Sequence, residues 1–292
     1  MILDNFDYVA PESLEEAVAA LAKGPTTRPL AGGRGLLTEL KRGERRVERL
    51  VDLRAIAALR GVDQLPDGRL RVGALTTLAE LLVDPFVRAA HVPGALGDAV
   101  PEIEDPQARN RSTVGGTLAG GDPGSDLAAV MLALGASVNC VGPDGERVVA
   151  IDQLFGPGRP TCLAPDELIT SVDLALAEPG GAYERFADRA TLDAICGVAV
   201  TVALGADGRL ARCRIGVVGA TAWPCRLDAV EHVLTGTGIP VTMPPLLEVD
   251  GVLDDRAASG KYRIHLIRVL AERAFVRAVE RARVGEDGRT TS

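Results

Sequence analysis

Two short stretches carry residues that could do chemistry. The first, LAGGRGLL, runs from Leu30 to Leu37; the second, TVGGT, runs from Thr113 to Thr117 within RNRSTVGGTLAGGDPGSDL. In both, a pair of glycines stands immediately ahead of residues that read as helix. Backbone N–H groups exposed in such a turn form an anion-binding concavity. A helix that starts beside it adds the positive end of its dipole. Glycine suits the place because a Cβ would hold an anion away from the N–H groups. Two turns of this kind in one domain match two linked phosphates, the diphosphate of a dinucleotide. Neither has the spacing of a Rossmann fingerprint or a P-loop. On spacing alone, the same residues are also the ordinary tight turns of a chain with 33 glycines.

Other chemistries find less material. Cys140, Cys162, Cys196, Cys213 and Cys225 are odd in number, and no two form C-x-x-C. That spacing argues against an iron–sulfur cluster or a structural zinc in this chain, and it suits reduced thiols in a cytoplasm. His91, His232 and His265 are scattered. No acid–base pair poised for substrate oxidation stands out.

The elements that must position the turns are legible in outline. Ser13 to Glu16 reads as a capping box ahead of a helix, with Gly24 as its end. Arg28–Ala31 reads as a strand, Leu36–Leu40 as one or two helical turns, and Glu48–Leu53 as a second strand. A strand follows near Leu70–Val72, then a helix capped by Thr77 and Glu80, and a helical segment near Pro93–Ala99. After the second glycine pair, Asp122 reads as an N-cap with Pro123 at the first helical position. Leu127, Val130, Met131 and Leu134 then supply one apolar helix face. ASVNCV and RVVAI form a hairpin pattern. From about Glu178, three strands are expected in AYERFADR, ICGVAVTVAL and ARCRIGVVG. A helix near Leu227–Leu234, a loop over Pro240–Pro245 and a long helix from Lys261 to Arg283 complete the chain.

The 292 residues suggest two or three modules. A net charge of −8 argues against general nucleic-acid binding, and the basic run at Lys41–Arg46 reads as a solvated loop. No apolar run is long enough to span a membrane. The opening residues lack the basic flank and apolar core of a secretory signal, so a cytoplasmic location is expected.

The two turns also resemble those of a known family. LAGGRGLL is similar to the first flavin-binding turn, and DPQARNRSTVGGTLAGGDPGSDLAAVMLAL to the second, in the FAD-binding medium subunit of molybdenum hydroxylases, the carbon monoxide dehydrogenase and xanthine dehydrogenase group. FDYVAPESLEEAVAAL fits the start of that family. YERFADRATLDAICGVAVTV, RIGVVGATAWPCRL and DDRAASGKYRIHLIRVLAERAF fit its C-terminal domain, in order. The resemblance implies an α+β fold. Two α/β subdomains, about 1–55 and 56–177, form an FAD-binding module of the PCMH (vanillyl-alcohol oxidase-like) type. A C-terminal domain over 178–284, with a three-stranded antiparallel sheet and helices, and a disordered tail over 285–292 follow.

It further implies cofactor contacts at Leu30, Ala31, Gly32, Gly33, Arg34, Gly35, Leu36 and Leu37, and at Thr113, Val114, Gly115, Gly116 and Thr117. Asp126, Leu168 or Ile169, and Arg185 complete the implied set, with Arg109 and Asn110 shaping the second turn. The cofactor implied is FAD. The molybdenum pterin and [2Fe–2S] clusters are implied in a large and a small partner subunit, with the whole a dimer of heterotrimers. Electrons would pass from a cluster through FAD to an external acceptor. Where relatives carry Thr-Asp or His-Ser in the first turn, this chain has Arg34 and Gly35, and Thr117 stands where asparagine or serine is frequent. Those departures keep open a flavin-free structural subunit or a stand-alone flavin reductase.

Overall fold

The structure is a computed structural model that describes residues 5–89, 93–103, 106–175, 180–188, 193–240, 243–244 and 248–290. The first unit is β1 (Asp7–Val9), α1 (Leu14–Leu21), β2 (Thr27–Leu30), α2 (Arg34–Arg42) and β3 (Arg49–Asp52). Its three strands are parallel in the order β1-β3-β2. Parallel neighbours need a crossover, and α2 supplies it between β2 and β3. The register sets Leu30 opposite Asp52, so β2 and β3 end at one edge of the sheet. The Ser13 hydroxyl accepts from the Glu16 N–H, whereas the Glu16 carboxylate accepts from the Glu12 N–H, one residue before the expected partner. The helix ends at Ala22, two residues short of Gly24.

The second unit holds β4 (Val62–Gln64), β5 (Leu70–Gly73), α3 (Leu78–Val83), α4 (Pro85–Ala89), α5 (Pro93–Glu102), α6 (Pro106–Arg109), α7 (Val114–Gly120), α8 (Asp126–Leu134), β6 (Ser137–Gly142), β7 (Gly145–Ala150), α9 (Ile151–Leu154) and β8 (Leu168–Leu174). Its sheet is antiparallel throughout, in the order β4-β5-β8-β6-β7. Thr77 and Glu80 close the capping box of α3 reciprocally. The start of α8 differs from the expectation. Ser125 is its N-cap, because the Asp122 carboxylate accepts from Gly124 N–H in a local turn and the Pro123 carbonyl accepts from Gly219 N–H. Nor does α8 bury one face only: all nine of its residues are buried.

The reason lies in the third unit: β9 (Gly180–Ala187), β10 (Ala194–Leu204), β11 (Leu210–Val218), β12 (Cys225–Arg226), α10 (Asp228–Leu234) and α11 (Gly260–Thr290). Its antiparallel sheet has four strands, β12-β11-β10-β9, not three. The two-residue β12 is too short to leave a periodic signal. The sheet packs α11 on one side, where Ile267, Leu270, Ala271, Ala274 and Ala278 are buried as the pattern predicts. The helix continues to Thr290, across most of the stretch expected to be disordered, and residues 291–292 lie outside the described set. So do 241–242 and 245, within the Pro-rich loop, and 176–179 at the expected domain junction.

On its other side the sheet covers α8. Thr201 donates to the Ala133 carbonyl at 2.6 Å, and Arg214 donates to the Leu134 carbonyl at 3.3 Å, at the negative end of the helix. Gly216 of β11 lies so close to α8 that an added Cβ would overlap the Ala129 carbonyl oxygen. Thus α8 is wedged between the second unit's elements and the third unit's sheet. Gly216→Ala is expected to cost about 1–3 kcal/mol through overpacking. Thermal melting of variant and parent checks this; an unchanged midpoint would show that the sheet and α8 can separate freely.

Candidate functional site

The first glycine turn leaves β2 at the edge where the parallel strands end. Gly33 has φ +80°, the left-handed region that glycine tolerates, and it is the N-cap of α2. As a glycine it offers no capping side chain. The first turn of α2 contains no acidic residue. An α-helix leaves its first N–H groups without internal acceptors. This N-terminus therefore presents donors and positive potential with nothing negative in its own first turn. Arg34 and Gly35 are exposed, and a Cβ added to Gly35 would meet nothing within 4 Å. Leu30 is buried, and Leu36 and Leu37 pack against the same small core, which anchors the helix below its exposed start.

The second turn touches the first. Gly32 lies against the backbone of Arg111, whose carbonyl oxygen a Cβ on Gly32 would overlap. The Arg111 guanidinium donates to the Gly32 carbonyl at 2.9 Å. A Cβ on Gly116 would come within 3.4 Å of the Ala31 Cβ. Gly32 and Arg111, 79 positions apart, thus bring the two turns together.

Their roles differ from the expectation of two equivalent cradles. Val114 N–H donates to the Thr76 carbonyl, Gly115 N–H to the Ala74 carbonyl and Thr117 N–H to the Thr113 carbonyl, all at 2.8–2.9 Å. Gly116 N–H donates to the Thr113 hydroxyl at 3.2 Å, so Thr113 caps α7. The N–H groups of this turn already have protein acceptors. Gly115 is glycine for packing: its Cβ would sit 2.5 Å from that of Ala74. What α7 does present is a bare face. Gly116, Ala119 and Gly120, spaced i, i+3, i+4, are exposed. The seven-residue helix is about 10 Å long. It runs from the paired turns toward the loop that begins α8.

At that second end stand Asp126 and Arg185, which the structure brings together. Tyr183 and Arg185 share one face of β9 and both reach Asp126 in α8. The Tyr183 hydroxyl donates to the Asp126 carboxylate, and Arg185 pairs with it at 3.3 Å while donating to the Glu102 carbonyl. Gly197, opposite Arg185 on β10, leaves room for the Tyr183 hydroxyl, which a Cβ would overlap. Burial raises the Asp126 carboxyl to about 6 against the opposing pull of Arg185 and Tyr183. Beside it, the Ser125 hydroxyl is buried and has no partner among the described residues. The side chains of Leu168 and Ile169 are core, 3% and 5% exposed, on the central strand β8, so backbone alone is what they can offer a ligand. Arg109 donates to the carbonyls of Pro101 and Ile103, which ties the approach to α7 down. Arg111 and the bare face of α7 were missed in the sequence. The signal for Arg111 was there, a third polar residue in RNRST, but nothing local says that it reaches Gly32.

Because folding raises the Asp126 pKa from 3.8 to about 6, the native state binds more protons than the unfolded one between those values. Its contribution to stability is complete below pH 3.8 and is lost as pH rises to about 6. At most it amounts to about 3 kcal/mol. Asp126→Asn should flatten that part of the stability–pH curve, since an amide does not titrate. Urea unfolding from pH 4 to 7 checks this; an unaltered slope between pH 4 and 6 would contradict it.

Comparison with known proteins shows the family. Residues 4–175 match the family model described as the FAD binding domain in molybdopterin dehydrogenase. The chain is 33% identical to the carbon monoxide dehydrogenase medium chain of Afipia carboxidovorans, over 97% of this chain and 100% of that one. It is 30% identical to the putative xanthine dehydrogenase FAD-binding subunit of Escherichia coli K12, over 96% and 98% respectively. A crystal structure of the Cu,Mo-CO dehydrogenase superposes with a TM-score of 0.88 at 33% identity, covering 97% of this chain and 100% of that one. Quinoline 2-oxidoreductase from Pseudomonas putida 86 gives 0.84 at 26% identity, over 97% and 99%. With half the chain and more under the family model, and the relatives matched end to end, the chain belongs to the family of FAD-binding medium subunits of molybdenum hydroxylases.

Proposed function

We propose that this chain holds FAD in an extended form along α7 and serves as the electron-transfer subunit of its complex. Residues 1–177 would be the FAD-binding module and 178–284 a second domain that closes over α8. When bound, FAD supplies the redox chemistry, accepting electrons from [2Fe–2S] clusters of a small partner and passing them to an external acceptor. A large partner would carry the molybdenum pterin and the substrate, in a cytoplasmic dimer of heterotrimers. Among the described residues no helix is long and apolar enough to cross a membrane.

The observation that carries this reading is the N-terminus of α2, whose N-cap is a left-handed glycine without a capping side chain, set against the second glycine turn. The residues fit the cofactor. Gly32 to Leu37 would face the diphosphate with backbone donors. Gly116, Ala119 and Gly120 leave backbone rather than bulk along the intervening face. Ser125 offers an unpaired hydroxyl at the far end, beside Asp126 and Arg185. The chain's own part is to bind, orient and set the electrostatics, as proteins do for cofactors that bring their own reactivity.

Gly116→Val should lower flavin content, since it places a branched side chain on the exposed face beside Ala31, and some stability is lost with it because a Cβ there meets the capping Thr113 hydroxyl at 2.7 Å. Flavin absorbance per chain and thermal melting, measured together, check this; full FAD occupancy in a well-folded variant would contradict the placement. Arg34→Ala should weaken FAD binding by less than about tenfold, because an exposed ion pair is worth about 0–1 kcal/mol. A hundredfold loss on titration would make Arg34 a phosphate clamp instead. Finally, the isolated, FAD-loaded subunit should be bleached anaerobically by dithionite but by the complex's substrate only after both partners are added. Rapid bleaching of the lone subunit by a substrate would favour a stand-alone flavoenzyme.

A further inference from the structure

We propose that Arg111 is the positioning residue of the diphosphate site, holding the first glycine turn in the shape that aims the N-terminus of α2. The proposal rests on the FAD reading above. Both the main chain and the side chain of Arg111 grip one glycine. Its carbonyl lies against Gly32 where a Cβ would not fit, and its guanidinium donates to the Gly32 carbonyl at 2.9 Å. Gly32 immediately precedes Gly33, the left-handed N-cap, so its placement sets the direction in which the first N–H groups of α2 point.

Arg111 is itself well anchored. Its N–H and that of Ser112 both donate to the Ala108 carbonyl, at 2.9 and 2.7 Å, and the Ser112 carbonyl accepts from Leu78 N–H at 2.9 Å. The clip therefore fastens the first turn to the start of α3 as well as to α7. A hydrogen bond from a charged donor is stronger than one between neutral groups. Arg111 is also exposed, so its positive charge stands next to the turn without being neutralised by burial against an acid.

The test uses the full chain and titrates FAD and, separately, ADP into the parent, Arg111→Ala, Arg111→Lys and Arg34→Ala, with thermal melting of each. The expected result is a loss of about tenfold or more in affinity for Arg111→Ala. The loss should be similar for FAD and ADP, because the effect acts at the diphosphate. Arg111→Lys, which keeps a charged donor, should recover most of it, and Arg34→Ala should stay closer to the parent than Arg111→Ala does. Binding by Arg111→Ala equal to the parent would overturn the proposal and leave the FAD reading intact. So would a loss for FAD without one for ADP. A loss that lysine does not rescue, accompanied by a collapse of the melting temperature, would make Arg111 merely structural and overturn it too. A parent chain that binds neither ligand would overturn the FAD reading and this proposal together.

Discussion

The close approach of Gly32 to the backbone ahead of α7 is the constraint on which the site depends. Two segments 79 residues apart meet there with no side chain between them, and the Arg111 guanidinium closes the contact from outside. Any Cβ at Gly32 would push the turns apart, and any cap at Gly33 would use up the donors that α2 presents. The parallel sheet matters because it delivers β2 to that edge. The antiparallel sheet matters because β5 and the turn after it provide Ala74 and Thr76, which take the N–H groups of the second turn. The two turns thus divide the labour. One is held rigid by the protein's own hydrogen bonds, and in the proposed reading the other donates to the diphosphate.

A second dependence runs through α8. A helix buried on every side must satisfy its ends and tolerate close neighbours on both faces. Arg214 meets its C-terminus, and Gly216 and Thr201 let the last sheet close over it. Its N-terminus carries Asp126, whose charge is opposed by burial and supported by Arg185 and Tyr183. Removing two charges from water is costly, and such a pair repays it only with good geometry and further hydrogen bonds. The Glu102 carbonyl and the Tyr183 hydroxyl provide those bonds here. The pair therefore locks the last sheet to the start of α8, at the end of the bare face of α7.

Much of this was legible from residue types. The capping box of α3, the β6–β7 hairpin, the buried face of α11 and both glycine turns follow local rules that leave a signature in the order of residues. What failed to show was set by contacts across the chain. Asp122 looks like a better N-cap than Ser125 until Gly219 claims the Pro123 carbonyl. Strand β12 exists because β11 offers an edge to two residues. Gly115 and Gly116 look like phosphate ligands, yet Ala74 and Thr113 accept their hydrogen bonds. Arg111 reads as one more polar residue before a turn, and only the fold shows that it spans to Gly32. The family resemblance named residues that the fold brings together, Gly32 with the second turn and Asp126 with Arg185, but not the hydrogen bonds that the second turn makes within the protein.

Amide hydrogen exchange, in the ligand-free chain and in the chain saturated with FAD, tests the central claim most directly. The N–H groups of Gly33 to Leu36 should exchange readily in the free chain and slow markedly when FAD is bound. Those of Val114 to Thr117 should be protected already and change little. If saturating FAD left Gly33 to Leu36 unaltered, or if the protection appeared at Val114 to Thr117 instead, the assignment of the diphosphate to the α2 N-terminus would be contradicted.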